Sequence, residues 1–237
     1  GFPNFKVDST LINLVKSSME EEENQYAPMP GDYELRSNLA QKYKSSFDAV
    51  YEPNEEIVIT AGATQAIFTI ISTLINVDDE VVLFDPSYDC YAPTVELFKG
   101  KPIRINLNQP NYTIDWNLVE EKISSKTKLI IINTPHNPTG SVISYEDMER
   151  LNALAKQHSF FVLSDEVYEH IIFDEEKHAS ACLFDELKVR SFIVGSFGKT
   201  FHVTGWKIGY CLAPKYLMDE FKKIHQFNVF CVNRPMQ

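Results

Sequence analysis

The chain has 237 residues, 44% of them hydrophobic and 12% aromatic, enough to bury one sizeable core. A formal net charge of −11 excludes a surface that attracts nucleic-acid phosphate or anionic membranes, so any anion must be captured locally. The cysteines, Cys90, Cys182, Cys211 and Cys231, form no C-x-x-C pair and are too few for a disulfide-built scaffold, which predicts a reducing, cytoplasmic setting.

In chain order, residues 8–23 carry apolar side chains at Leu11, Leu14, Val15 and Met19, a helical spacing that ends in an acidic run. A second helical pattern covers 34–46. Short apolar runs then alternate with amphipathic ones. The runs IVIT (57–60), EVVLF (80–84), PIRIN (102–106), KLIII (128–132), FFVLS (160–164) and FIVGS (192–196) read as strands. Helices are predicted at 64–76, 88–98, 115–123 and 144–157, the last opened by a capping box from Ser144 to Asp147. Residues 57–77 lack charged side chains, but polar residues interrupt them, and they read as strand, turn and helix rather than a membrane span. Strands without polar alternation are buried on both faces, and their alternation with helices predicts an α/β domain with a mostly parallel sheet.

Ligands of open α/β sheets sit beyond the carboxyl ends of the strands. Five strand ends here carry Ala61-Gly62-Ala63-Thr64, Asp85-Pro86-Ser87-Tyr88, Thr134-Pro135-His136-Asn137, Asp165-Glu166-Val167-Tyr168 and Ser196-Phe197-Gly198-Lys199. Each alone has an ordinary structural reading as a turn, core residue or strand exit. Together they describe one polar pocket holding a small-residue turn, an aromatic, an amide, a carboxylate with a phenol, and an amine. The S-x-x-K spacing of Ser196 and Lys199 also fits acyl-serine enzymes, but their S-D-N and K-T-G phrases are absent. His136, His170 and His202 make no metal-binding pattern and receive no role.

The phrases GFPNF, NQYAP, TAGATQA, DPSYDCYAP, NTPHNPTG, SDEVYEH and SFGKTFHVTGWKIGYCLAP occur in this order along nearly the whole chain. In them the chain resembles the fold-type I pyridoxal-phosphate (PLP) aminotransferases of class I/II, in the branch of the methionine and kynurenine aminotransferases and glutamine transaminase K. The resemblance implies a large PLP-binding domain at 31–237, with about seven strands sandwiched by helices. Residues 1–30 become an arm belonging partly to a small domain or a dimer contact. The rest of the small domain, with the arginine that grips the substrate carboxylate, is expected to be missing beyond Gln237, and Arg234 is not that arginine.

By the same resemblance Lys199 holds PLP as a Schiff base and moves a proton between substrate and cofactor. Asp165 lies under the pyridine nitrogen, Tyr88 stacks on the ring, and Tyr168 and Asn137 donate to the phenolate oxygen. Ala63, Thr64, Ser196 and Lys207 hold the phosphate, joined by Tyr26 from the neighbouring subunit of a homodimer. Arginine is usual at position 207 in the wider superfamily; lysine keeps the charge and loses the two-pronged contact. Gly1, Phe2 and Asn137 line the substrate end. The implied reaction moves the amino group of methionine, an aromatic amino acid or glutamine to a 2-oxo acid. A cysteine-conjugate β-lyase and a PLP-sensing domain of a transcription regulator are the alternatives.

Overall fold

A computed structural model describes residues 4–21 and 23–237, so the proposed substrate-end residues Gly1 and Phe2 lie outside the described residues. The predicted helices form where their caps allow. Helix α1, Ser9–Glu20, starts where the Asp8 carboxylate accepts from the Thr10 backbone N–H, and none of its residues is buried. Helix α2, Tyr33–Phe47, is capped in the same way by Asp32 and closes on a left-handed Asp48.

From there the chain alternates: β1 Ile57–Thr60, α3 Gly62–Leu74, β2 Glu80–Asp85, α4 Tyr91–Leu97, β3 Lys101–Asn106, α5 Trp116–Lys122, β4 Thr127–Asn133, α6 Tyr145–Gln157, β5 Phe161–Asp165, α7 Asp185–Lys188, β6 Ser191–Ser196, α8 Phe197–Thr200, β7 Gly209–Leu212 and α9 Lys215–Asn228. The capping box opening α6 forms in both directions between Ser144 and Asp147. Helix α4 begins three residues later than its apolar pattern predicts. Pro93 has no N–H to give to a carbonyl four residues back, so it fits only in a first turn. Residues 88–90 therefore make a turn, closed by Tyr91 N donating to Tyr88 O at 3.3 Å.

Among the described residues the strands form one seven-stranded sheet in the order β1-β7-β6-β5-β4-β2-β3. Strand β7 is antiparallel to both β1 and β6, and the other pairs are parallel. Strand β7 and helix α9 carry no expectation from the sequence; GYCL lacks the β-branched run that marks the equally short IVIT, and its place shows in the neighbours it joins.

Alternate strand residues face opposite layers. Val81, Leu83, Ile131 and Leu163 meet α3, α4 and α9; Val82, Phe84, Ile130 and Val162 meet α2, α5 and α6. With both faces covered, the inner strands carry apolar runs, whereas β3, predicted as a buried strand, lies at the sheet edge with only Ile105 buried, so its Lys101 and Arg104 reach solvent. The same alternation sends Asp165, at the end of β5, toward α4, while Ser164 and Glu166 bond to each other on the opposite side.

Candidate active site

A cavity of about 350 Å³ lies beyond the strand ends. It opens where β1 turns into α3. Gly62 holds φ +75°, a left-handed conformation that disfavours side chains, and a Cβ there would meet Lys207 Nζ at 3.2 Å. No side chain caps α3, so Ala63 and Thr64 present the start of a 13-residue helix to the cavity with Lys207 beside them. A helix N-terminus joined to an ammonium and the Ser196 hydroxyl is suited to an anion.

The turn before α4 brings Tyr88 into the wall, its hydroxyl 3.2 Å from Thr64 Oγ1 and its ring edge-on to Tyr91 at 5.6 Å. From β4, the Asn133 amide accepts from Asn137 N at 2.7 Å and donates to the Asp165 carbonyl at 2.9 Å. Asn133 thus fixes two neighbouring strand ends to each other. At the end of β6, Ser196 Oγ accepts from Gly198 N and opens the short turn that carries Lys199, whose Nζ lies 5.5 Å from the Tyr168 ring centre.

The two acids that follow one another at the end of β5 differ in their surroundings. Burial alone would raise Glu166, yet the charge and hydrogen bond of His178, with donors from Ala181 N and Ser164, outweigh it and hold the carboxyl below the usual range. Burial also raises Asp165, and hydrogen bonds from Tyr91 and Val167 only partly offset it, so this group is pushed up to about 6. Among the described residues no cation lies within 4 Å of Asp165, and no carboxylate lies within 4 Å of Lys199 or Lys207. The cavity therefore joins a buried acid lacking a counterion to two lysines lacking theirs. A ligand with a basic ring nitrogen at one end and a phosphate at the other matches both deficits.

The cavity brings together Ala63, Thr64, Tyr88, Asn137, Asp165, Tyr168, Ser196, Lys199 and Lys207. Tyr26 is elsewhere: it is 80% exposed, edge-on to Phe230 at 5.3 Å, in a separate cleft shared with Arg234. Two residues with structural claims on the site, Asn133 and Tyr91, escaped the sequence reading. Asn133 opens the NTPHNPTG phrase and ends its strand, a signal that was available. Tyr91 reads as an ordinary core aromatic until α4 is placed. Among the described residues no cluster of His, Cys, Asp or Glu suits a metal ion.

This fold and cavity define a class. The family model for aminotransferase class I and II matches residues 3–237, and the chain belongs to that family. Its members use pyridoxal 5′-phosphate as cofactor. The chain is 42% identical to a methionine aminotransferase of Escherichia coli, over all of this chain and 61% of the relative. It is 35% identical to the human kynurenine–oxoglutarate transaminase 3, over all of this chain and 55% of that one. The crystal structure of an E. coli protein with a methionine aminotransferase function superposes with a TM-score of 0.98 at 42% identity, covering all of this chain and 62% of the other. An aromatic aminotransferase from Pyrococcus horikoshii superposes at 0.95 with 31% identity, over 64% of its length. The chain thus spans about three fifths of the length of these relatives, and neither a β-lyase nor a transcription regulator is favoured.

Proposed function

We propose that the protein is a PLP-dependent aminotransferase that moves the amino group of methionine, an aromatic amino acid or glutamine to a 2-oxo acid. The observation that carries this reading is the buried carboxylate of Asp165, with no cation against it among the described residues, in the same cavity as Lys199. When bound, PLP supplies an aldehyde that combines with amines and a ring that accepts electron density from the substrate α-carbon. The chain's residues do the rest. Lys199 would hold the cofactor through its amine and, once free, would move a proton at the substrate α-carbon. Asp165 holds the ring nitrogen in its protonated form by charge attraction, which makes the ring a better electron acceptor.

Tyr168 and the Asn137 amide donate to the ring oxygen. Burial first, and then the Asp165 charge, raise the Tyr168 phenol, which keeps it a donor at neutral pH. Tyr88 covers one ring face. Ala63, Thr64, Ser196 and Lys207 bind the phosphate, and Tyr26 reaches it from the partner subunit of a homodimer, with residues 1–30 serving as an arm. Contact of His202 with the Phe5 ring (4.3 Å) and carbonyl (2.6 Å) draws that arm toward the turn after Lys199, which supports a substrate-side role for Gly1 and Phe2. Apolar pockets discriminate side chains by only ~1–3 kcal/mol per methylene, so several amino acids should serve. A cytoplasmic location is consistent with four free cysteines and with no described helix long and apolar enough to cross a membrane.

The test is spectroscopic. With PLP the protein should develop an absorbance band that borohydride removes, and methionine should convert it to the amine form of the cofactor. Lys199→Ala should show neither change. Identical spectra for the two proteins would overturn the assignment of Lys199.

A further inference from the structure

Among the described residues the cavity's buried acid has one side-chain donor, and that donor stands outside the set of residues proposed to touch the cofactor. Tyr91 Oη donates to Asp165 Oδ2 at 2.6 Å, with Tyr91 3% and Asp165 4% exposed. We propose that Tyr91 is a positioning residue for the cofactor: its hydroxyl fixes the Asp165 carboxylate, in orientation and in charge, for a positively charged ring nitrogen. This rests on the PLP reading above.

Three observations lead to it. First, an isolated carboxylate in such a site would take up a proton rather than stay ionised, and a neutral acid has little attraction for a cationic ring. A donor inside the protein counters this without spending the negative charge, as a lysine or arginine would. Second, the contrast with Glu166 shows the alternative in the same chain: there His178 bonds the carboxylate directly, leaving no charge to offer a ligand. Third, toward an ionised Asp165, which has no proton to give, Tyr91 can only donate. Burial, followed by the neighbouring Asp165 charge, raises its phenol well above the usual range, so its proton stays on the oxygen facing the carboxylate.

The geometry also ties Tyr91 to the ring's other contact. It is the first residue of α4, immediately after the turn that Pro93 enforces, and its ring meets Tyr88 edge-on at 5.6 Å. One side chain therefore braces both the group proposed beneath the ring nitrogen and the group proposed against the ring face. The other titratable groups around Asp165 are Cys90 ahead of α4, Tyr88, and Glu166 and Tyr168 after β5, with Lys199 and Lys207 lining the same cavity. Among the described residues, Tyr91 apart, only the backbone N–H of Val167 bonds its carboxylate, at 3.2 Å.

The test titrates PLP into the protein across pH 5–9, for the wild type, Tyr91→Phe and Tyr43→Phe. Tyr43 is a buried phenol whose hydroxyl has no hydrogen-bond partner among the described residues and which does not line the cavity, so its variant controls for loss of a buried hydroxyl. Affinity that depends on ionised Asp165 falls as pH falls through the titration of that group. Removing a hydrogen bond to a charged acceptor is worth about a tenfold change, so in Tyr91→Phe the fall should begin about one pH unit higher. PLP should then bind about fivefold more weakly near pH 6, approaching tenfold near pH 5, with little difference near pH 9, while Tyr43→Phe follows the wild type. A Tyr91→Phe profile that superposes on the wild type, even with a lowered melting temperature, would reduce Tyr91 to packing and overturn the inference. If the wild type takes up no PLP at any pH, the PLP reading and the inference fall together.

Discussion

Asp165 and Glu166 are adjacent buried acids with opposite fates, and the difference lies in a handful of hydrogen bonds. Glu166 is fully satisfied by His178, Ser164 and Ala181 N; among the described residues Asp165 receives only Tyr91 and Val167 N. The folded Asp165 titrates near about 6, against 3.8 for an unperturbed group, a gap corresponding to on the order of 3 kcal/mol. Because the folded state binds its proton more tightly, this cost is absent below the unfolded value, develops between the two, and is complete above about pH 6. Asp165→Asn should therefore stabilise the cofactor-free protein at pH 8 by up to this amount, with little gain at pH 4. The Tyr91 hydroxyl can reverse to accept from the new amide. Urea unfolding at both pH values measures it, and a variant no more stable than the wild type at pH 8 would contradict the account. The same substitution should weaken PLP binding, a case of stability given up for function.

At the scale of elements, the anion cradle depends on a strand running against its neighbours. Antiparallel β7 lies between β1 and β6 and brings Gly209 against the first turn of α3. A Cβ at Gly209 would stand 2.9 Å from Ala63 N and 2.8 Å from the Gly195 carbonyl, both closer than real side chains tolerate. Gly209→Ala should push α3 away from the cavity and weaken PLP binding by at least tenfold, beyond a loss of stability of about 1–3 kcal/mol. Pyridoxal without its phosphate, titrated in parallel, should be much less affected; equal losses for both would place the damage away from the cradle.

At the scale of the whole molecule, apolar side chains are exposed at the cleft that holds Tyr26. Met19 lines it and Phe230 packs edge-on against the Tyr26 ring, and all three are exposed. A homodimer covering this region would account for it and would put Tyr26, remote from its own cavity, within reach of a partner's. Light scattering should give twice the 27.2 kDa chain mass. In that dimer Tyr26→Phe should weaken PLP binding about tenfold, as expected for a lost hydrogen bond to a charged phosphate. A monomeric protein with wild-type PLP affinity in Tyr26→Phe would rule out the shared site.

What the sequence determined by itself is local or periodic in character. Runs such as KLIII and FFVLS announce doubly buried strands, Ser144 and Asp147 mark the start of α6, and the residues following each strand announce a pocket, because strand ends and ligand sites coincide in open α/β sheets. The tertiary structure alone decided which neighbours meet. GYCL becomes a strand only by pairing on both sides, and Tyr91 becomes a partner of Asp165, 74 positions away, only when the fold brings the start of α4 to the end of β5. Whether a buried acid is satisfied depends on contacts distant in sequence, and side-chain periodicity carries no record of them.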